Sequence, residues 1–183
     1  MRVIAGTARG RRLKSPAARL RETRPTSDLM RGALFDSLDS SEVSLAHVLD
    51  LYAGSGALGI EALSRGAGQC DFVERDRGAC ALIRENLELT GFSSSARVHC
   101  LPVAGSASRL AGPYTLVLAD PPYADERAVG AIASLIAGRM LGANAVLALE
   151  HTARNAPPEE VGGLALKKVL RHGGSAISIY TRR

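Results

Sequence analysis

The chain has 183 residues, enough for one domain with a full hydrophobic core, and no run of 18 or more apolar residues that would read as a membrane span. Its net charge of +5 is unevenly placed: in residues 1–31 nine basic side chains stand against Glu22 and Asp28, giving +7, so the remainder carries −2. A basic block beside a near-neutral body points to a polyanion-binding arm and excludes a uniformly basic surface.

The first six residues lack the apolar stretch of a signal peptide, so a cytoplasmic protein is expected. Cys70, Cys80 and Cys100 are odd in number and form no C-x-x-C pair. They read as small buried hydrophobes in a reducing compartment. They assemble no zinc pattern with the four histidines, and no metal is expected.

Residues 2–6 and 11–15 flank Thr7-Ala8-Arg9-Gly10 and read as a small β-hairpin with a glycine in the turn. Arg2, Arg9, Arg11, Arg12 and Lys14 line it. A lone hairpin is marginally stable, so it must dock on the body or on a partner. Residues 1–25 are taken as this basic extension and residues 26–183 as the main domain. Arg24-Pro25-Thr26-Ser27-Asp28 is a helix start, after which Leu29, Ala33, Leu34 and Leu38 recur at helical spacing beside Phe35.

From His47 the pattern alternates. Strands are expected over 48–53, 70–74, 97–101, 114–119 and 145–150, and helices over 57–65, 78–90 and 126–139. Gly66 closes the first of these helices and Gly91 is a plausible C-cap for the second. Residues 164–170 and 176–180 flank His172-Gly173-Gly174 at hairpin spacing. The expected fold is α/β and Rossmann-like: a mostly parallel seven-stranded sheet with an antiparallel last strand and helices on both faces.

Two strand ends carry the chemistry. The run 116–119 is apolar and is stopped by Asp120-Pro121-Pro122-Tyr123. Prolines offer no N–H to a ladder, so a carboxylate, two stiff carbonyl-bearing residues and an aromatic ring sit at a strand's C-terminal tip. Ligands of open α/β sheets bind at that edge. The set suits holding a flat heterocycle by its exocyclic amine; the bland alternative is a proline turn with Asp120 capping the next helix. The first strand runs into Asp50-Leu51-Tyr52-Ala53-Gly54-Ser55-Gly56-Ala57-Leu58-Gly59, where the glycines satisfy G-x-G-x-x-G. That pattern alone fits a dinucleotide loop. However, the carboxylate of Asp50 at the strand end repels a pyrophosphate and suits a cationic ligand, and Glu74, ending the second strand, can grip two ribose hydroxyls. A ribose-bearing ligand with a sulfonium and an ammonium is S-adenosylmethionine.

Taken with Leu34-Phe35 and the run from Val48 to Ala67, then Phe72-Val73-Glu74 and Asp120 to Tyr123, the Arg-rich start and Arg24-Pro25-Thr26 resemble the RsmD family. These are bacterial 16S ribosomal RNA guanine-N2 methyltransferases acting at guanine 966. The resemblance implies a class I S-adenosylmethionine-dependent methyltransferase fold over nearly the whole chain. It implies that Asp50, Gly54 and Gly56 line the methionine end of the cofactor, that Glu74 holds the ribose, that Tyr52, Ser55 and Arg75 also contact the cofactor, and that Asp120 borders both ligands. Asp120, Pro121, Pro122 and Tyr123 would hold the target base. Arg2, Arg9, Arg11, Arg12, Lys14 and Arg24 would contact RNA, either 16S RNA itself or an assembling 30S subunit, with the protein expected as a monomer. Residues 101–105 depart from the family in lacking the acidic residue that accepts the adenine amine, so backbone groups at Val103 and Ala104 are the expected substitutes.

Other assignments stay open on the residues themselves. The same pocket would serve an adenine-N6 enzyme on DNA or a guanine-N2 enzyme on another RNA, although 183 residues leave no room for a DNA target-recognition domain. A non-catalytic RNA-binding module and a nicotinamide-dependent oxidoreductase are the other rivals. Glu61 is read as a helix-surface carboxylate and His151 as structural. Lys167, Lys168, Arg171, Arg182 and Arg183 either extend an RNA face or are solvated.

Overall fold

A computed structural model describes residues 1–15, 28–123 and 125–182. The helix start at Arg24 to Ser27, and with it the RNA contact expected of Arg24, lies outside the described residues. The elements run α1 (Asp28–Ser40), β1 (His47–Leu51), α2 (Ala57–Ser64), β2 (Gln69–Glu74), α3 (Arg77–Thr90), β3 (Ala96–Cys100), β4 (Tyr114–Ala119), α4 (Ala128–Ile136), β5 (Leu141–Thr152), β6 (Glu160–Val161), β7 (Leu164–His172) and β8 (Ser175–Thr181). The strands form one sheet in the order β3-β2-β1-β4-β5-β8-β7-β6. The first five are mutually parallel, and β8 enters antiparallel between β5 and β7. The central strands are mostly apolar because both faces are covered, as parallel sheets require, with Asp50 and Asp71 as buried exceptions.

Alternate side chains go to opposite faces. Val48, Phe72, Leu116, Leu118, Val146 and Ala148 pack under Leu34, Phe35, Ile60 and Ile83 of α1, α2 and α3. Leu49, Leu51, Val73, Val117, Leu147 and Leu149 pack against Ile132, Leu135 and Ile136 of α4. Helix α3 begins at Asp76, whose carboxylate accepts Ala79 N at 2.7 Å, and ends at Gly91 with φ 83.

Three expectations are corrected. The sheet has eight strands rather than seven, because the two-residue β6 pairs at its edge with β7; two residues carry no readable periodicity. The N-terminal segment turns back on itself, with Val3 N on Arg11 O and Gly10 N on Val3 O, yet it forms a single antiparallel bridge, Arg2 to Arg12, instead of two strands. Its order comes from docking, since Val3, Ala8 and Leu13 are buried in the core beside α1. Cys70 and Cys80 are buried as expected, but Cys100 at the end of edge strand β3 is exposed.

Glu61 is the largest departure from the sequence reading. It is fully buried, not on a helix surface. Its carboxylate accepts Ile4 N at 2.8 Å, Ala5 N at 3.0 Å and Arg65 Nε at 3.0 Å, with the fully buried Arg31 Nε at 3.7 Å. One turn further along α2, Ser64 takes Ala8 N on its Oγ and Thr7 N on its carbonyl. The backbone at Gly6 passes so close that a Cβ there would lie 1.7 Å from Ser64 O. The N-terminal arm is therefore part of the folded body through backbone groups, which its basic sequence does not announce.

Candidate active site

Strand register places the chemistry. Leu51 pairs with Val73 and with Ala119, and Ala119 pairs with Leu149. One residue further, Glu74, Tyr52, Asp120 and Glu150 follow one another along the C-terminal edge of β2, β1, β4 and β5. Neighbouring strands lie about 4.8 Å apart. Asp120 N donates to Leu51 O at 3.4 Å, so the tip that carries Asp-Pro-Pro-Tyr meets the tip that opens into the glycine loop.

The loop is shaped by its backbone. Tyr52 adopts φ 57, Gly54 φ 55 and Gly56 φ 78. A side chain in the left-handed region is strained, and its occurrence at a strand tip marks a position held by its surroundings. This reversal ends β1 at Leu51, two residues short of the strand expected to reach Ala53. Asp50 does not open toward the loop's outer surface. It is 1% exposed, and its Oδ2 accepts Gly59 N at 2.9 Å, fixing the first turn of α2. Burial pushes its carboxyl up to about 8, with Glu74 adding and the Gly59 bond opposing. Burial thus favours the neutral form of Asp50, and the carboxylates nearer the open edge are Glu74 and Asp120.

A carboxyl raised on folding binds its proton more tightly in the native state. Its contribution to stability is complete below the unfolded value and falls as pH rises toward about 8. Replacing Asp50 with Asn keeps an acceptor for Gly59 N and removes the titration. Asp50→Asn is expected to remove a decline of up to about 1.4 kcal/mol per pH unit. Chemical denaturation from pH 5 to 8 measures it; parallel curves for variant and wild type would refute it.

Glu74 is half-buried, with Oε2 accepting Gly54 N at 2.9 Å and Oε1 accepting Asp76 N at 2.9 Å. Those bonds aim the carboxylate from the β2 tip across the glycine loop. Arg75 is exposed beside it. Ser55 is buried, and its carbonyl accepts Asn86 Nδ2 at 2.9 Å. Asn86 also holds Lys14 through both its backbone N and O, at 2.8 and 3.0 Å. This fully buried asparagine thus joins the basic arm to the loop. Its polar type at a core-facing position of α3 was the available signal. Val103 is 5% exposed and offers an apolar wall; its carbonyl already accepts Ser106 N and Oγ at 3.1 and 2.9 Å. Ala104 is exposed. These residues fit an adenosine-bearing cofactor: a loop opened by Gly54 and Gly56, an oriented carboxylate and an apolar wall lie at one edge.

Beyond Asp120, Pro121 is buried, Pro122 partly so, and Tyr123 is 48% exposed. The Tyr123 hydroxyl donates to Glu150 Oε1 at 3.1 Å and meets Ser175 Oγ at 2.9 Å. Burial, reinforced by the charges of Glu150 and Asp120, pushes the phenol up to about 12, so it keeps its proton as a donor. His151 spends both ring nitrogens on structure, Nδ1 with Thr152 O at 2.9 Å and Nε2 with Ser178 Oγ at 2.7 Å, tying β5 to β8. No group of three or more His, Cys, Asp or Glu among the described residues is placed to hold a metal ion, and none of their helices is long and apolar enough to cross a membrane.

The arm's cations divide. Arg2, Arg9, Arg11 and Arg12 are all exposed, with Arg2 3.8 Å from Asp28 and Arg11 also donating to Leu89 O at 2.5 Å, and Lys14 pairs with Glu85 at 2.8 Å. Arg31, counted in the basic block, is fully buried. Lys168 donates to Ser37 Oγ at 3.0 Å.

Against this geometry stand the chain's relatives. The family model described as conserved hypothetical protein 95 matches residues 1–181. A protein of Bacillus subtilis named putative rRNA methyltransferase YlbH is 33% identical over the full length of both chains. Ribosomal RNA small subunit methyltransferase D of Escherichia coli is 32% identical, covering all of this chain and 90% of that one. A solved structure described as putative methyltransferase yhhF from Escherichia coli superposes with a TM-score of 0.82 at 33% identity, over 100% of this chain and 98% of that one. The eight-stranded α/β sheet is thus that of the class I S-adenosylmethionine-dependent methyltransferases. With a family model spanning almost every residue and full-length identity of one third, the chain belongs to the RsmD family.

Proposed function

We propose that the chain is an S-adenosylmethionine-dependent ribosomal RNA methyltransferase of the cytoplasm, and that it methylates the exocyclic N2 amine of a guanine, guanine 966 of 16S RNA. The observation that carries this reading is the meeting of two strand tips, with Asp120 N on Leu51 O and Glu74 on Gly54 N. It brings Asp-Pro-Pro-Tyr beside the glycine loop in a family whose named members act on ribosomal RNA.

The cofactor supplies an electrophilic methyl group on a sulfonium. Everything else falls to the chain. Gly54 and Gly56 allow close backbone approach, Glu74 takes the ribose hydroxyls on its remaining lone pairs, and Val103 walls the adenine. A guanine N2 amine is a poor nucleophile because its lone pair is delocalised into the ring. The Asp120 carboxylate and the Pro121 carbonyl each accept one N–H, turning the lone pair out of the ring plane and opposing the positive charge that develops on nitrogen. Pro121 and Pro122 stiffen the tip, which supplies orientation. Tyr123 stacks on the base, a contact worth about 1–3 kcal/mol. The base must leave any helix to reach the tip. The methylated amine is acidic enough to lose its proton to Asp120 or solvent.

Mapping methylated nucleotides in ribosomal RNA from cells with and without this protein tests the reading. One guanine N2 methyl group in 16S RNA should disappear. An unchanged 16S map, or loss of an adenine N6 methyl group instead, would overturn it.

The exposed arm arginines serve as phosphate partners in this reading. Arg9, Arg11 and Arg12 changed together to Ala should weaken RNA binding and lower the slope of log K against log salt by about 2, the value for three phosphates of a single strand left without a cation. A salt titration with an unaltered slope would remove the arm from the RNA.

A further inference from the structure

We infer that Glu150 selects guanine at this site by accepting the hydrogen of the ring N1, the donor adjacent to the amine that Asp120 holds. The inference rests on the guanine reading above and assigns it a residue. Glu150 lies in β5, one strand beyond Asp120 and one residue past the Ala119–Leu149 pair, on the side away from Glu74 and the glycine loop. A base whose reacting amine lies at Asp120, next to the methyl donor, extends its ring away from the loop, and β5 is the next strand it meets.

The carboxylate there is an acceptor only. Guanine presents two neighbouring donors on its pairing edge, the N2 amine and N1–H. Adenine presents an amine beside an N1 lone pair. Two carboxylates on adjacent strands, whose backbones lie about 4.8 Å apart, match the donor–donor edge and set a lone pair against Glu150 when adenine is offered. Glu150 is 2% exposed and lies beneath Tyr123, whose hydroxyl donates to Oε1 at 3.1 Å while Ser175 Oγ holds the same hydroxyl at 2.9 Å. A donor thus already sits where N1–H would arrive. As the ring of Tyr123 stacks on the base, its hydroxyl retains Ser175 and the base N–H joins it or takes its place on the carboxylate. This part of β5 is held by His151, whose Nε2 reaches Ser178 Oγ of β8 at 2.7 Å while its Nδ1 meets Thr152 O of its own strand at 2.9 Å.

The test compares RNA carrying guanine with RNA carrying 2-aminopurine at the mapped position, presented naked or in reconstituted subunits, whichever form the wild-type enzyme accepts. 2-Aminopurine keeps the N2 amine, replaces N1–H by a lone pair and lacks the 6-oxo group, so the Glu150→Gln comparison isolates the N1 contact. Wild type should favour guanine by about 10²-fold or more in kcat/KM, as sites built around a hydrogen bond reject analogues that lack it. Glu150→Gln should bring the two substrates to within about tenfold, because an amide can donate to the N1 lone pair. Tyr123→Phe should slow transfer yet keep the guanine preference. Guanine-N2 product formed at equal wild-type rates from both RNAs overturns the role of Glu150 and leaves the methylation reading standing; so does a full preference in a folded Glu150→Gln variant that binds cofactor normally. If that variant does not fold, equal wild-type rates on the two RNAs still overturn the role. Transfer to adenine in place of guanine overturns both.

Discussion

Asp120→Ala is expected to lower kcat by about 10²–10³-fold, the cost of removing one preorganised group from a developing charge, with little change in cofactor affinity. The asymmetry comes from the geometry. Asp120 reaches the β1 tip through its backbone N–H to Leu51 O, which an alanine retains, and the cofactor loop is held by other groups, namely Glu74 on Gly54 N, Asp50 on Gly59 N and Asn86 on Ser55 O. The strand tip therefore survives the substitution and only the acceptor is lost. Single-turnover methyl transfer measures the rate, and calorimetry with S-adenosylmethionine measures binding. Near-wild-type turnover with normal binding would show that the carboxylate does not act on the amine. Loss of cofactor binding with intact transfer at saturation would assign Asp120 to the cofactor alone.

Glu61→Ala is expected to destabilise the fold by about 3–5 kcal/mol, the usual result of removing one partner of a buried ion pair. For a chain of this size that lowers Tm by on the order of 10 °C. The fully buried Arg31 guanidinium would lose its buried counter-charge and keep Asp28 and Arg2 O, while Ile4 N and Ala5 N would lose their acceptors. Arg65 would keep Asp36 and Asp39 and the face of Phe35. The damage should thus centre on the arm and α1. Thermal unfolding by circular dichroism measures the shift, and hydrogen exchange at residues 3–13 locates it. A Tm within a degree or two of wild type would mean that the arm is not anchored by this carboxylate.

These two residues show what sequence can and cannot carry. Asp120 was legible because two prolines after an apolar run force a strand to end there, whatever the fold around it. Glu61 was not, because a helix's buried side depends on what packs on it. Here the cover is a segment some 56 residues earlier, joined by backbone N–H groups that any sequence possesses. Glu150 lay between. It ends an apolar run as Asp120 does, but its place beside Asp120 is a fact of strand order, not of spacing.

Local composition by itself determined the alternation of strands and helices, the glycine turn after β1, the proline stop after β4 and the basic start. Each of these is set by backbone sterics or by side-chain periodicity within about a dozen residues. Only the tertiary structure decided that β4 lies between β1 and β5, that Asp50 is enclosed where burial favours its neutral form rather than a surface charge, and that the arm is built into α2 and α3. The reason is that register, burial and desolvation arise between segments distant along the chain, where no local pattern records them.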